Sequence, residues 1–187
     1  MAGLDDQELL ARAREGNVDA FAEFVRRYEQ RVRHVLQRLL DDQRDVEEAT
    51  QDSFVQAWRN LDRFRGDAAV FTWLYRIAVN EALARLRRKR LPTTDVEKAQ
   101  PAANLAEEPH SAAESGELKE FLAGRIRTLE PEYRAPLVLR DVIGLSNEEV
   151  AAILDLSVAA TKSRIHRARM RIREELVRWE RASGSNG

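Results

Sequence analysis

One stripe of apolar residues follows a helical spacing for more than five turns of the early chain. Its members are Phe21, Phe24, Val25, Tyr28, Val32, Val35, Leu36 and Leu39. Side chains at intervals of three and four lie on one face of an α-helix, so this stripe predicts a long amphipathic helix. No run of β-branched residues alternates with polar ones at a period of two, the pattern of a half-buried strand. The sequence therefore predicts an all-α fold.

Two helical domains and a flexible acidic linker are expected. Residues 1–90 show helical periodicity, with helices over approximately 5–15, 18–40, 45–61 and 70–90. Residues 118–180 are periodic again, and residues 181–187 read as a frayed tail. The segment 91–117 has three prolines, a glycine, six acidic residues and one lysine, a composition typical of a flexible tether. As a random coil it would span about 30 Å.

The net charge of −1 hides a segregated distribution. Five of the six residues 85–90 are basic, and 162–173 contains six lysines or arginines and no acid. Basic blocks attract phosphate backbones, while the acidic linker resists collapse onto nucleic acid. Solvated helix faces are the alternative explanation for either block taken alone.

Several function classes lack support in the sequence. The chain has no cysteine, and its three histidines are widely scattered, so neither a metal nor any other cofactor is expected. No phosphate-binding loop or nucleophile–base grouping is present, which argues against an enzyme and a small-molecule substrate. The start of the chain resembles no signal peptide, and no apolar run reaches membrane-spanning length, so a cytoplasmic protein is expected.

A helix-turn-helix is predicted near the C-terminus. Ser146 and Glu149 have the spacing of a capping box, which would open a short helix reaching Leu154. A turn follows, and Asp155 or Ser157 can cap a longer second helix. Two helices joined by a turn of three or four residues form the helix-turn-helix plan used for DNA binding.

The second of these helices separates packing residues from residues suited to DNA. Val158, Ile165, Ala168, Ile172 and Leu176 share a face expected to pack inward. Lys162, Ser163, His166 and Arg167 project elsewhere, beside Met170. Lysine, arginine and serine side chains reach base edges in the major groove, so we interpret this helix as a recognition helix.

Three motifs occur in the order found in extracytoplasmic-function (group 4) sigma factors of the sigma-70 family. The sequence LSNEEVAAI at 145–153, followed by SV at 157–158 and KSRIHRAR at 162–169, resembles region 4 of that family. DVEEATQDSFVQAW at 45–58 resembles region 2.2, and FRGD at 64–67 with FTWLYRIAVN at 71–80 resembles the promoter-melting region. The resemblance covers nearly the whole chain.

This resemblance implies a factor that directs RNA polymerase core to promoter DNA in a stress or envelope-signal response, with an anti-sigma factor as a further partner. It places polymerase contacts on Asp45, Glu48, Gln51, Asp52 and Val55. Charge reversal at Glu48 or Asp52 is expected to weaken polymerase binding and leave the fold intact. Trp58 is interpreted as a core residue.

The same resemblance implies two DNA surfaces. Contacts to the −35 element are expected from Arg140, Asn147, Lys162, Ser163, Arg164, His166, Arg167 and Arg169. Contacts to the melted −10 element are expected from Asn60, Phe64, Arg65, Trp73, Tyr75, Arg76, Asn80, Arg85, Arg87 and Arg88. Opening DNA costs stacking on the order of 1.4 kcal/mol per base step, so a protein without ATP must recover it by binding unstacked bases. Phe71 and Leu74 are expected in the core.

The chain departs from the family pattern at a few positions. Ala159-Ala160-Thr161 stands where Gly-Thr-Val is usual, and Asp155 stands where glycine is common. Asp52 replaces the usual glutamate. Two other classes remain open: a one-component helix-turn-helix regulator, which would bind duplex DNA alone, and a helical adaptor, which would bind neither DNA nor polymerase.

Overall fold

In the computed structural model, the described residues 4–64, 69–90 and 113–183 are predominantly helical. The helices are α1 (Asp6–Arg14), α2 (Val18–Leu39), α3 (Gln43–Arg59), α4 (Val70–Arg90), α5 (Ala113–Thr128), α6 (Pro131–Leu137), α7 (Asn147–Leu154) and α8 (Val158–Ser183). No β-strand occurs in the described ranges, which confirms the all-α prediction. Helices α1–α4 build one compact unit, and most of α5–α8 builds a second.

Local capping sets the ends of the first three helices. Asp5 accepts a hydrogen bond of 2.7 Å from the main-chain N–H of Glu8 and so caps α1. Asn17 caps α2 in the same way. Helix α3 begins two residues before the predicted start because the carboxylate of Asp42 accepts from the N–H of Arg44, at 2.8 Å.

The N-terminal unit is a bundle around α2. Phe24, Val32 and Leu36 on α2 are fully buried, as the apolar stripe predicts. Helix α1 packs against α2, and α3 packs against both α2 and α4. On α4 the buried residues include Leu74, as expected, whereas Phe71 is only half-buried. Burial of these apolar side chains supplies the main driving force for the unit.

The C-terminal unit has a core formed by α5, α6 and α8. Leu129 and Leu137 pack with Ile165 and Ala168 of α8, and Ile172 lies against this cluster. The predicted packing face of α8 is therefore confirmed at its centre.

Helix α6 changes its hydrogen-bonding pattern after Pro136. A π-helical turn spans Val138–Val142, closed by a bond of 2.9 Å from the N–H of Ile143 to the carbonyl of Val138. Pro136 lacks an N–H, which removes a bond from the α-helical ladder in this region. Gly144 then adopts a φ of +86° and ends the segment.

Helix α5 begins at Ala113, so the last five residues of the segment expected as a linker, 113–117, are helical. The rest of that segment, 91–112, lies outside the described residues, as does the tail from 184 onward. Helix α8 continues to Ser183, three residues beyond the expected end. Within the described part of the chain, no helix is both long enough and apolar enough to cross a membrane.

Candidate DNA and polymerase surfaces

The predicted capping box at the start of α7 is present. The Ser146 hydroxyl accepts from the N–H of Glu149 at 3.1 Å, and the Glu149 carboxylate accepts from the N–H of Ser146 at 2.7 Å. The turn between α7 and α8 contains Asp155 with a φ of 56°, in the left-handed region that explains why glycine is common there. Ser157, rather than Asp155, caps α8 by accepting from the N–H of Ala160 at 3.1 Å.

One face of α8 is exposed and polar at its N-terminal half. Lys162, Ser163, His166 and Arg167 are all exposed, whereas Thr161 is fully buried on the opposite side. The helix therefore presents the four residues expected to read bases together, with its apolar side held by the core.

The other residues expected to contact the −35 element have different surroundings. Arg169 is exposed and donates two hydrogen bonds, of 2.6 and 2.8 Å, to Asp141. These bonds outweigh slight desolvation and raise the pKa of Arg169. Arg140 donates to the carbonyl of Leu145 at 2.7 Å, and Arg164 is half-buried beside the exposed face. Asn147, the first residue of α7, is half-buried.

On α4, a stripe of polar and aromatic side chains occupies one face. Trp73, Arg76, Asn80 and Arg87 follow one another at spacings of three, four and seven, so they lie on the same side of the helix. Arg76, Asn80 and Arg87 are exposed, and Trp73 is half-buried. We call these four residues the α4 stripe. Arg88 is also exposed, one position beyond it.

Phe64 and Tyr75, both expected to contact the melted −10 element, are buried in this structure. Phe64 is 6% exposed and packs on Trp73 with ring centroids 5.0 Å apart. Tyr75 is 7% exposed, and this burial raises the pKa of its phenol. Both rings lie beneath the surface because helical spacing and the preceding turn direct them into the bundle.

Arg85, likewise expected to contact the −10 element, is also buried. Its guanidinium donates to the carboxylate of Asp52 and, at 2.8 Å, to that of Glu81. Burial alone would lower the pKa of Arg85, but the bonds to the two carboxylates raise it. The residue therefore joins α4 to α3 and does not belong to the α4 stripe.

The remaining residues expected at the −10 element are Asn60 and Arg65. The Asn60 amide donates to the carbonyl of Gln56 at 2.8 Å and completes the C-terminus of α3. It thus acts as a cap of α3 in this structure. Arg65 and the neighbouring Gly66 lie outside the described residues.

The predicted polymerase residues form one continuous arc of α3 but differ in their contacts. Glu48, Gln51 and Val55 are exposed on one side of the helix. Asp45 and Asp52, seven residues apart, face α4: Asp45 pairs with Lys89 at 2.5 Å, and Asp52 pairs with Arg85.

Trp58, interpreted from the sequence as core, is 38% exposed. Its ring packs edge-on against that of Phe21 with the centroids 4.9 Å apart, and this contact covers one side of the indole. The sequence does contain a signal for this exposure: Trp58 follows Val55 by three residues, so the two lie on the same exposed face of α3. We call Glu48, Gln51, Val55 and Trp58 the α3 face.

Two family models match the chain, one in each compact unit. The model described as Sigma-70 region 2 matches residues 24–91, and that described as Sigma-70, region 4 matches residues 122–172. The first range contains α3 and α4 with their exposed faces. The second contains the helix-turn-helix.

Curated relatives are similar over almost the full length. The ECF RNA polymerase sigma-E factor of Salmonella typhimurium is 39% identical over 175 residues, covering 89% of this chain and 91% of the relative. The proteins of the same name from Escherichia coli and Haemophilus influenzae are 38% and 35% identical, covering 89% and 92% of this chain and 91% and 96% of the relatives.

Two solved structures are also similar to this chain. CnrH, in complex with the cytosolic domain of CnrY, is 32% identical with a TM-score of 0.67, covering 91% of this chain and 96% of that one. The sigma factor RpoE of Bartonella quintana, in complex with the anti-sigma factor NepR, has a TM-score of 0.68 over 85% of this chain and 98% of that one. At 24% identity, that likeness supports the fold. On the strength of both region models and of relatives nearly 40% identical along their length, this chain belongs to the extracytoplasmic-function sigma factors of the sigma-70 family.

Proposed function

We propose that the two units divide promoter recognition between them. The C-terminal unit would bind the −35 element of duplex DNA, and the N-terminal unit would bind RNA polymerase core and the melted −10 strand. The observation that carries this division is the exposed face of α8, on which Lys162, Ser163, His166 and Arg167 lie together after a capped turn.

At the −35 element, the four exposed residues of α8 would contact bases, and Arg164 and Arg169 would contact phosphates. Met170, exposed on the same side, would add apolar contact. The bidentate bond to Asp141 holds the Arg169 guanidinium in place, so its phosphate contact would be made by a pre-oriented side chain.

At the −10 element, the α4 stripe would receive the unstacked strand. A half-buried indole offers a stacking surface, and the exposed amide of Asn80 offers both a donor and an acceptor for a base edge. Arg76, Arg87 and Arg88 would neutralise phosphates on either side. Phe64 and Tyr75 would support this surface from beneath.

Polymerase core would bind the α3 face. The solved relatives stand in complex with CnrY and with the anti-sigma factor NepR, so we propose an anti-sigma factor as a second partner of this chain. The protein would act in the cytoplasm, where core polymerase and promoters are found, and without catalytic activity of its own.

Reconstitution with purified core polymerase tests the proposal. The holoenzyme should start transcription at a promoter selected from a randomised library, and the free protein should not. Arg167→Ala should relax preference at one −35 position at a cost of about 1–3 kcal/mol, whereas Arg178→Ala, an exposed control near the end of α8, should not. Tight, specific binding of duplex DNA by the free protein would instead support a one-component regulator.

A further inference from the structure

The first helix of the chain contacts the main chain just beyond α3. Arg14, the last residue of α1, donates a hydrogen bond of 2.6 Å to the carbonyl of Phe64, 50 residues later. Leu9, Leu10 and Ala13 of α1 are buried, so the helix that carries this guanidinium is firmly packed. A bond from a charged donor is stronger than one between neutral groups.

The segment that Arg14 reaches is fixed at several points. A 3-10 turn covers Leu61–Arg63, and Leu61 is buried. The N–H of Phe64 donates to the carbonyl of Leu61 at 3.1 Å, and the ring of Phe64 packs on Trp73. Arg14 occupies the remaining main-chain group of Phe64, its carbonyl.

The contact connects α1 to the DNA-facing side of α4. Trp73 begins the α4 stripe, and Phe64 is the side chain packed on its ring. A change in the position of Phe64 therefore changes the orientation of the indole, on which a base would stack.

We propose that Arg14 is a positioning residue for recognition of the melted −10 strand. It holds Phe64, and through Phe64 the indole of Trp73, in the orientation that receives an unstacked base. The inference rests on the proposed function of the α4 stripe. It assigns a role in promoter opening to α1, which precedes the residues matched by the region 2 model.

The chain offers a matched control on the same helix. Arg12 lies two residues earlier and pairs with Glu8 at 2.7 Å, within α1 and on the surface. Arg12→Ala removes the same charge as Arg14→Ala without touching Phe64. Arg14→Lys keeps the charge but has a shorter reach and a single ammonium group.

The experiment uses full-length variants assembled with core polymerase. A fluorescent base in the −10 element reports opening, and promoters with single −10 substitutions report discrimination. Arg14→Ala should slow opening by about tenfold, the effect of one lost charge-assisted bond, and reduce discrimination between −10 bases. Core affinity should stay within about twofold of the parent, and the melting temperature should fall by no more than about 10 °C. Arg14→Lys should recover part of the rate, and Arg12→Ala should match the parent.

Two results would overturn the inference. One is opening by Arg14→Ala at the parent rate, with Asn80→Ala and Trp73→Ala slow. The other is a loss of stability in Arg14→Ala that reduces opening equally at every promoter, which indicates a purely structural contact. If Asn80→Ala and Trp73→Ala also open promoters normally, the proposed role of the α4 stripe fails together with the inference.

Discussion

The buried guanidinium of Arg85 donates a hydrogen bond to the carboxylate of Asp52, 33 residues earlier. The sequence predicts that Arg85 contacts DNA and that Asp52 contacts polymerase; the two side chains also contact each other between α3 and α4, and the side chain of Asp52 stays 54% exposed. A second link, Lys89 to Asp45, joins the same two helices. The basic end of α4 is thereby anchored on the helix that carries the α3 face.

Two charge reversals on α3 should have different effects. Glu48→Lys changes an exposed residue of the α3 face, so core affinity should fall by about tenfold or more with unchanged melting temperature. Asp52→Lys places a cation beside Arg85 and should destabilise the fold, contrary to the expectation from the sequence. Pull-down and thermal denaturation measure both quantities. Glu120→Lys, exposed on α5, is the matched control, and equal core affinity for all three variants would contradict the assignment.

Removing the Asp52 carboxylate should weaken the first unit. In Asp52→Ala, Arg85 keeps its bond to Glu81 but loses the one that crosses to α3. The side chain of Asp52 is about half exposed, so the loss in unfolding free energy should be about 1–2 kcal/mol rather than that of a fully buried pair. Urea denaturation measures the loss. Stability equal to that of the parent would show that solvent replaces the bond.

Thr161→Val should stabilise the C-terminal unit. Thr161 is fully buried, and its hydroxyl has no hydrogen-bond partner among the described residues. A valine of nearly the same shape removes that desolvation cost, worth about 1 kcal/mol or more. Thermal denaturation should show a higher transition with unchanged promoter preference. Thr128→Val, at an exposed position whose hydroxyl donates to Arg125, should bring no gain.

Asp155→Gly should also raise the stability of the protein. Asp155 has a φ of 56°. This left-handed backbone conformation costs a residue with a side chain about 1 kcal/mol of folding free energy, which glycine avoids. The gain is offset in part by the greater entropy of glycine in the unfolded chain. Asp155→Val, which adds a β-branched side chain at the same φ, should lower stability. Chemical denaturation of the two variants measures the difference in their unfolding free energies. A valine variant more stable than the glycine variant would contradict the proposed backbone strain at Asp155.

Tyr28 should make stability depend on alkaline pH. Burial and then a hydrogen bond to Asp6 at 2.5 Å raise its pKa from 10.0 to about 12. The folded state thus favours the neutral phenol, so this contribution is present below pH 10 and is lost as pH rises toward 12. Tyr28→Phe should be less stable at neutral pH by about 1 kcal/mol and should approach the parent above pH 11. Unfolding free energies across that range measure the difference, and a constant gap would contradict it.

The sequence by itself determined the helices and the helix-turn-helix. Those features rest on contacts within a few residues: the Ser146–Glu149 capping box, the Asn17 cap and the apolar stripe of α2. Capping bonds and side-chain spacing are local, so they can be read without knowing the fold. The exposed face of α8 is predictable for the same reason. Ile165 and Ala168 lie at helical spacing on the packed side, so the opposite side of the helix faces solvent.

Only the tertiary structure decided which polar and aromatic residues remain on the surface. Arg85 and Arg87 belong to one basic run, yet Arg85 is buried because Asp52, distant in sequence, meets it across the α3–α4 packing. The burial of Phe64 and the exposure of Trp58 have a similar cause, since the cover over each ring depends on the residue that the bundle places beside it. Trp73 packs on Phe64, whereas Phe21 covers Trp58 on one side. Helical periodicity fixes the direction in which a side chain points from the helix axis. The neighbouring helix that covers the side chain comes from elsewhere in the sequence, so local periodicity does not identify it.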